Sequence, residues 1–386
     1  MPRSMALAKG ARITGGVFCL LFFLYTAYWL AIDVDAFGLD GLFDIWTGGR
    51  RSGRDQVTIP FHLGLAVVQL AAAWAAFAGL RTAGGLLAVG STLTFVMSLQ
   101  AIVSTGFATD QNRYFLIPFE QNSTTFEGVF VSALCLVPLS LVACVVLLAG
   151  MRSWPRPRPS EPPMRPVKVP GTVAGLILGA MVLLYVAWNI YWLVERGLGS
   201  ADVFYLGTGV LISLLDVSPG AYYLTLIGLS AAAALSCLAR GGAARGLAMG
   251  LATVLLPNAL LSVIAMANSG TLFDFGAASP GFSVLVHLGL VLSLFGSLAL
   301  FALMGRGEPV APGWHPPAPA PQFGVPGMVP PGPQGPPPAG WQQPGPPMPQ
   351  QGPPMPPAGN PPPMPPGNPP PGNPSAPQGG FGPPQY

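Results

Sequence analysis

Charge is what this sequence has least of. Asp, Glu, Lys and Arg make up 8% of its 386 residues, against about 25% in a typical soluble domain. Hydrophobic residues account for 51% of the chain. This balance excludes an ordinary soluble globular protein, because such a protein needs far more charged surface than these residues can supply.

The chain is also poor in the residues and motifs of known catalytic and metal sites. Its four cysteines all lie in apolar stretches and form no CxxC pair, so neither a disulfide framework nor a cysteine metal site is predicted. No HExxH, GxSxG, P-loop or dinucleotide-binding motif occurs. The sequence therefore favours a protein that is not an enzyme, and it indicates neither a cofactor nor a nucleic-acid partner.

Long apolar stretches are what the sequence does contain. A helix needs about 20 apolar residues to cross the roughly 30 Å hydrocarbon core of a bilayer. Eight stretches meet this requirement, at residues 13–32, 61–80, 84–104, 128–150, 171–194, 220–239, 246–267 and 282–304. We therefore predict an all-α integral membrane protein with eight transmembrane helices.

The few charges are sorted by sign between these stretches. Alternate gaps, beginning with the N-terminal one, hold twelve Lys or Arg and only two acids, Glu161 and Glu308. The remaining gaps hold five Arg and twelve Asp or Glu. Cytoplasmic loops retain basic residues during insertion, so the pattern predicts a bacterial plasma membrane location with both termini in the cytoplasm.

The eight predicted helices read as one four-helix unit used twice. The segment 24–28 (LYTAY) matches 184–188 (LYVAW), and Gly15 matches Gly175 at the same offset of 160 residues. Arginine-containing hairpins follow the second and sixth stretches, as cytoplasmic turns should. We predict two tandem four-helix repeats, with a first unit at 1–150, a basic Pro-rich cytoplasmic linker at 151–170, and a second unit at 171–305.

The C-terminal segment, 306–386, has a different composition. It is rich in Pro and Gly, and no charged residue follows Glu308. Such a segment cannot bury enough apolar surface to fold alone, so we predict a disordered tail biased towards polyproline II. Residues 309–386 could serve as a spacer, or they could dock a cytoplasmic protein partner through proline-ordered backbone and sparse aromatic anchors.

Polar residues within the predicted spans are few. None of the spans has a charged residue in its core, which argues against a proton-coupled carrier. Gln69, Gln100, Asn189 and Asn258 form a possible polar core. They could hydrogen-bond between packed helices or orient a neutral solute.

Two histidines are candidate metal or haem ligands. His62 opens the second stretch and His287 lies near the outer end of the eighth, so both are expected near the outer surface. No carboxylate accompanies them within the membrane. The alternative interpretation is a pair of interfacial histidines bonded to water or backbone.

Asp33 and Asp35 are the candidate catalytic residues. They directly follow the first stretch and precede an amphipathic segment with Leu39, Leu42 and Trp46 on one face. This loop resembles that of membrane glycosyltransferases that use lipid-phosphate sugar donors, in which a carboxylate acts as base or metal ligand. The resemblance consists of two aspartates and the amphipathic segment, and it implies a lipid-linked glycosyl transfer at this loop.

The aromatic outer loops allow two interpretations. Tyr114, Phe115 and Phe119 lie in one of them, and Phe273 and Phe275 lie in another. They could form an aromatic belt at the membrane surface or the lid of an outer pocket between the two units.

As a whole, the chain resembles multi-pass membrane proteins of actinobacteria that end in Pro/Gly/Gln-rich cytoplasmic tails. The resemblance rests on span number, arginine-biased composition and tail, and it transfers no site residue. Our leading hypothesis is a non-enzymatic membrane protein that recruits or organises cytoplasmic partners through its tail. The alternatives are a channel or carrier for a neutral or apolar solute between the two repeats, and the lipid-linked glycosyltransferase.

Overall fold

The computed structural model describes residues 5–49, 55–106, 111–116, 123–153, 164–275 and 280–309. Eight of its helices are long and apolar enough to cross a membrane, which indicates a polytopic membrane protein and confirms the predicted number of spans. The helices are α1 Lys9–Trp46, α2 Pro60–Phe77, α3 Ala83–Thr105, the short α4 Gln111–Tyr114, α5 Thr124–Ala149, α6 Lys168–Arg196, α7 Pro219–Leu238, α8 Ala244–Asn268 and α9 Pro280–Met304. The predicted tail, beyond Pro309, and the middle of the linker lie outside the described residues.

Local sequence explains where the spanning helices begin and end. α2, α7 and α9 each begin at a proline, whose missing N–H would have no partner in the first turn. Ser123 caps α5, because its hydroxyl accepts from the Phe126 N–H at 3.1 Å. α1 is longer than predicted, since the amphipathic stretch after residue 38 continues it past a break at Gly38.

The described residues also include four strands of three residues each. The sequence did not predict these strands. β1 (Met5–Leu7) pairs antiparallel with β2 (Met151–Ser153), just before α1 and just after α5. β3 (Met164–Pro166) pairs in the same way with β4 (Gly307–Pro309), just before α6 and just after α9. We call the side of the bundle that carries these strands the strand face, and the opposite side the loop face.

The spanning helices pack as one body, and we describe them as two groups that meet along one seam. The first group, α1, α2, α3 and α5, packs together, and so do the four helices of the second group, α6 to α9. α2 and α3 of the first group contact α8 of the second. A Cβ atom added to Gly85 of α3 would lie 2.2 Å from the Leu247 nitrogen and 2.4 Å from the Gly246 carbonyl carbon of α8. The two groups are therefore in backbone contact at this point, where only glycine fits.

Candidate functional site

The predicted polar core is divided among separate hydrogen-bond networks. Gln69 is fully buried in the first group, where its Oε1 accepts from the Thr26 hydroxyl at 3.0 Å and its Nε2 donates to the Thr94 hydroxyl at 2.8 Å. The Thr94 hydroxyl in turn donates to the Gly90 carbonyl at 2.7 Å. This network joins α1, α2 and α3, which is the interhelical bonding expected for buried amides in a membrane.

The other three amide residues lie elsewhere. Gln100 near the end of α3 donates to the Leu206 carbonyl at 2.9 Å. Asn189 of α6 donates to the Tyr185 carbonyl and accepts from the Tyr205 hydroxyl at 3.0 Å. Asn258 is half-buried on α8, directly after Pro257. The four residues are therefore not brought together into a shared site.

Asp33 is fully buried at the loop face and binds the chain that returns to α2. Its carboxylate accepts from the Val57 N–H at 3.0 Å, the Thr58 N–H at 2.6 Å and the Thr58 hydroxyl at 2.5 Å. Its neighbour Asp35 is exposed. The two candidate catalytic residues thus have different surroundings, and Asp33 is engaged by backbone and hydroxyl donors of its own loop.

The two candidate histidines are each held by their own neighbours. His62 is fully buried near the start of α2, where its Nδ1 accepts from the Ile59 N–H at 3.0 Å. The ring nitrogens of His287 face the carbonyls of Ser283 and Leu272 at 2.7 and 2.9 Å. Within the described ranges, no three His, Cys, Asp or Glu residues are grouped so that they could hold a metal ion.

The loop face of the first group is covered by a segment from the second. Residues 211–218, which we call the cover segment, precede α7 and include the buried Leu211, Leu214 and Leu215. Leu214 and Leu215 donate their N–H groups to the carbonyls of Gln56 and Val57, both at 3.1 Å. The leucines pack into one cluster with Trp29, Phe126 and other residues of α1, α3 and α5.

A cluster of arginines around Glu308 lies on the strand face. Glu308 of β4 accepts from Arg165 of β3 at 2.9 Å and also pairs with Arg240. Arg245, at the start of α8, donates to the carbonyls of Met304 and Gly305, both at 2.9 Å. Three arginines therefore hold the end of α9 and the strand that follows it, which we call the exit clamp.

Sequence reasoning did not identify the partners that define these sites. Thr26, Thr94 and Tyr205 were overlooked, although a threonine or tyrosine near a buried amide is a usual partner for it. Comparisons with protein-family models, with curated proteins and with solved structures found no match to this chain.

Proposed function

We propose that this protein is a non-enzymatic polytopic membrane protein that presents its Pro-rich C-terminal tail to cytoplasmic partners. The observation that carries the proposal is the exit clamp. Glu308, the last charged residue of the chain, pairs with Arg165 and Arg240 on the strand face. The exit clamp therefore gives the tail a fixed starting point. A tail that organises partners would require such a starting point.

The arrangement of the helices favours this proposal over a channel or carrier between the two groups. A solute pathway along their seam would need space at the contact of α3 with α8. The backbones of Gly85 and Gly246 touch there, and a single added methyl group would not fit. The buried amides Gln69 and Asn189 are hydrogen-bonded to neighbouring helices and turns.

The surroundings of Asp33 likewise weigh against the glycosyltransferase. A catalytic base or metal ligand needs an oxygen free to meet the substrate or the ion. Both Asp33 oxygens accept hydrogen bonds from residues 57 and 58, and the side chain is buried. We infer that this carboxylate positions the loop.

We further propose that the two helix groups are copies of one four-helix unit in a bacterial plasma membrane, with both chain termini in the cytoplasm. Three features support duplication: the equivalent strand pairs, the breaks at Gly38 (φ 73°, ψ 166°) and Gly197 (φ 72°, ψ 169°), and the helix-ending turns at Gly79 and Arg240, both with positive φ. Profiles of related chains built separately for 5–153 and 164–309 should match each other, and independent profiles would contradict duplication. Reporter fusions at each terminus test the orientation, which rests on the sorted charges.

The recruiting function is tested by comparing the full chain with a version that ends at Pro309 and so retains β4 and the exit clamp. Both are imaged at matched expression in the source organism. We expect the full chain to concentrate at discrete sites and the truncated chain to spread evenly. Proximity labelling from the tail should then identify partners absent when the labelling enzyme is attached at Pro309. Equal distributions, together with full complementation of a deletion by the truncated chain, would refute the proposal.

A further inference from the structure

Two arginines from different helix groups converge on the strand face. Arg81 lies in the turn between α2 and α3, and Arg245 is the second residue of α8. The residues that follow them are in contact, since a Cβ atom on Gly246 would overlap the carbonyl oxygen of Thr82. The two guanidinium groups are close enough for their charges to repel each other. The fold therefore places two like charges side by side at the end of the seam.

A third arginine reaches the same turn. Arg12, in the first turn of α1, donates from Nη1 to the carbonyl of Gly79 at 3.4 Å. Gly79 and Arg81 belong to one short turn between α2 and α3. Cationic side chains from three segments of the chain therefore lie around this turn, and we call Arg12, Arg81 and Arg245 the arginine cluster.

No carboxylate of the described residues neutralises the arginine cluster. Glu308 is the only acidic residue that the structure describes on the strand face, and it pairs with Arg165 and Arg240. The insertion of the chain explains why arginines lie on one side of the membrane, but it does not explain why these arginines converge. Like charges that are held together without a counter-charge repel each other, so we expect an anion from outside the chain to lie between them.

The arginine cluster has donors that an anion can reach. Arg81 is exposed, and no hydrogen bond joins it to the residues that the structure describes. Arg245 is half-buried, and its Nε and Nη2 donate to the carbonyls of Met304 and Gly305, which leaves its Nη1 for a ligand. Arginine presents its N–H groups in a planar fork that matches the oxygens of a phosphate. One guanidinium is therefore held in place, and the other is free to turn towards a bound phosphate.

The arginine cluster lies at the level of the lipid head groups. α1, α3 and α8 are each long and apolar enough to span a membrane, and each begins beside the cluster. The ends of spanning helices lie at the membrane surface, where the phosphates of phospholipids are concentrated. Basic pockets between the ends of spanning helices are known to bind anionic head groups. A phospholipid is therefore the source of phosphate that fits the position of the cluster.

We propose that the arginine cluster binds the head group of one anionic phospholipid of the phosphatidylglycerol type. Arg81 and the Nη1 of Arg245 donate to the phosphate oxygens, and Arg12 adds a third positive charge beside them. The lipid thereby joins the first helix group to the second at the end of their seam. A zwitterionic phospholipid has the same phosphate but also carries a cationic group, which the three arginines repel.

The test uses the full-length protein in a mild nonionic detergent, with the binding of added lipid counted by native mass spectrometry. The probe is dioctanoyl phosphatidylglycerol, and it is compared with dioctanoyl phosphatidylcholine and with inorganic phosphate. The test variant is Arg81→Gln, which removes one exposed charge of the cluster. The matched control is Lys168→Gln, which removes an exposed charge on the same face at the start of α6, a helix that packs on α7 and α9. Because both side chains are exposed, both variants should fold as the wild type does.

We expect one phosphatidylglycerol molecule to bind in preference to phosphatidylcholine. Arg81→Gln should weaken this binding roughly tenfold, as the loss of one hydrogen bond to a charged group implies, and Lys168→Gln should leave it unchanged.

Equal binding of the two lipids, an equal loss in the two variants, or wild-type binding by Arg81→Gln would overturn the proposal. Displacement of the lipid by an equal concentration of inorganic phosphate would also overturn it, because the ligand would then be a free anion. The experiment depends neither on the tail nor on the side of the membrane at which the strand face lies, so its outcome is independent of the recruiting function.

Discussion

The substitution Asp33→Asn tests the interpretation of the loop face most directly. The wild-type carboxylate accepts three hydrogen bonds from Val57 and Thr58 in a fully buried position. Asparagine keeps one acceptor oxygen but places an NH₂ group, itself a donor, against a donor of the loop. At least one buried donor then loses its partner.

The magnitude follows from the number of hydrogen bonds. Each hydrogen bond to a charged group contributes about 1.5–3 kcal/mol, and a buried donor without a partner costs about 1–3 kcal/mol. Since part of the network survives in the amide, we expect Asp33→Asn to lower the free energy of unfolding by about 3–5 kcal/mol. For a chain of this length the melting temperature should fall by at least about 5 °C.

The chain carries its own reporters for the measurement. Cys19 and Cys237 are both fully buried, so once the exposed Cys135 and the half-buried Cys144 are replaced by alanine, a thiol-reactive fluorophore becomes bright only as the helices separate on heating in detergent. Asp35→Asn is the matched control, because Asp35 is exposed two residues away and should change stability by no more than about 0.5 kcal/mol. If Asp33→Asn melts with the wild type, the structural interpretation of Asp33 is refuted and the catalytic hypothesis regains support.

Three further substitutions test the packing by the same thermal assay. Gln69→Leu should cost only about 1 kcal/mol or less, because the Thr26 and Thr94 hydroxyls keep their own backbone acceptors, and a larger loss would mean that the network is cooperative. Gly85→Ala should destabilise by more than about 3 kcal/mol, since its Cβ would overlap the α8 backbone, whereas Gly179→Ala, with open space around it, should be neutral or stabilising. Leu214→Asn should cost about 2–4 kcal/mol by placing an amide at a fully buried position of the cover segment, and Leu198→Asn, at an 80% exposed position, should have little effect.

The number and approximate positions of the spanning helices could be predicted, because each depends on a continuous apolar run that needs no knowledge of its neighbours. The roles of the loop residues could not. Asp33 follows the first apolar run as many acids do, and its hydrogen bonds to residues 57 and 58 exist only once the loop has returned to α2. The packing of the cover segment could not be predicted either, because the surface that buries Leu211, Leu214 and Leu215 is formed by helices distant in sequence.

Three of the acidic residues have structural roles that bear on the function. Asp33 binds the returning loop, Asp216 accepts from the Ile212 and Val217 N–H groups within the cover segment, and Glu308 holds the end of the last helix. Three of the few acidic residues therefore hold two loops and the end of the last helix in place. The structural roles of these three carboxylates agree with the proposal that the helical bundle is a platform for the tail. Experiments on the proposed function should therefore begin with the tail beyond Pro309.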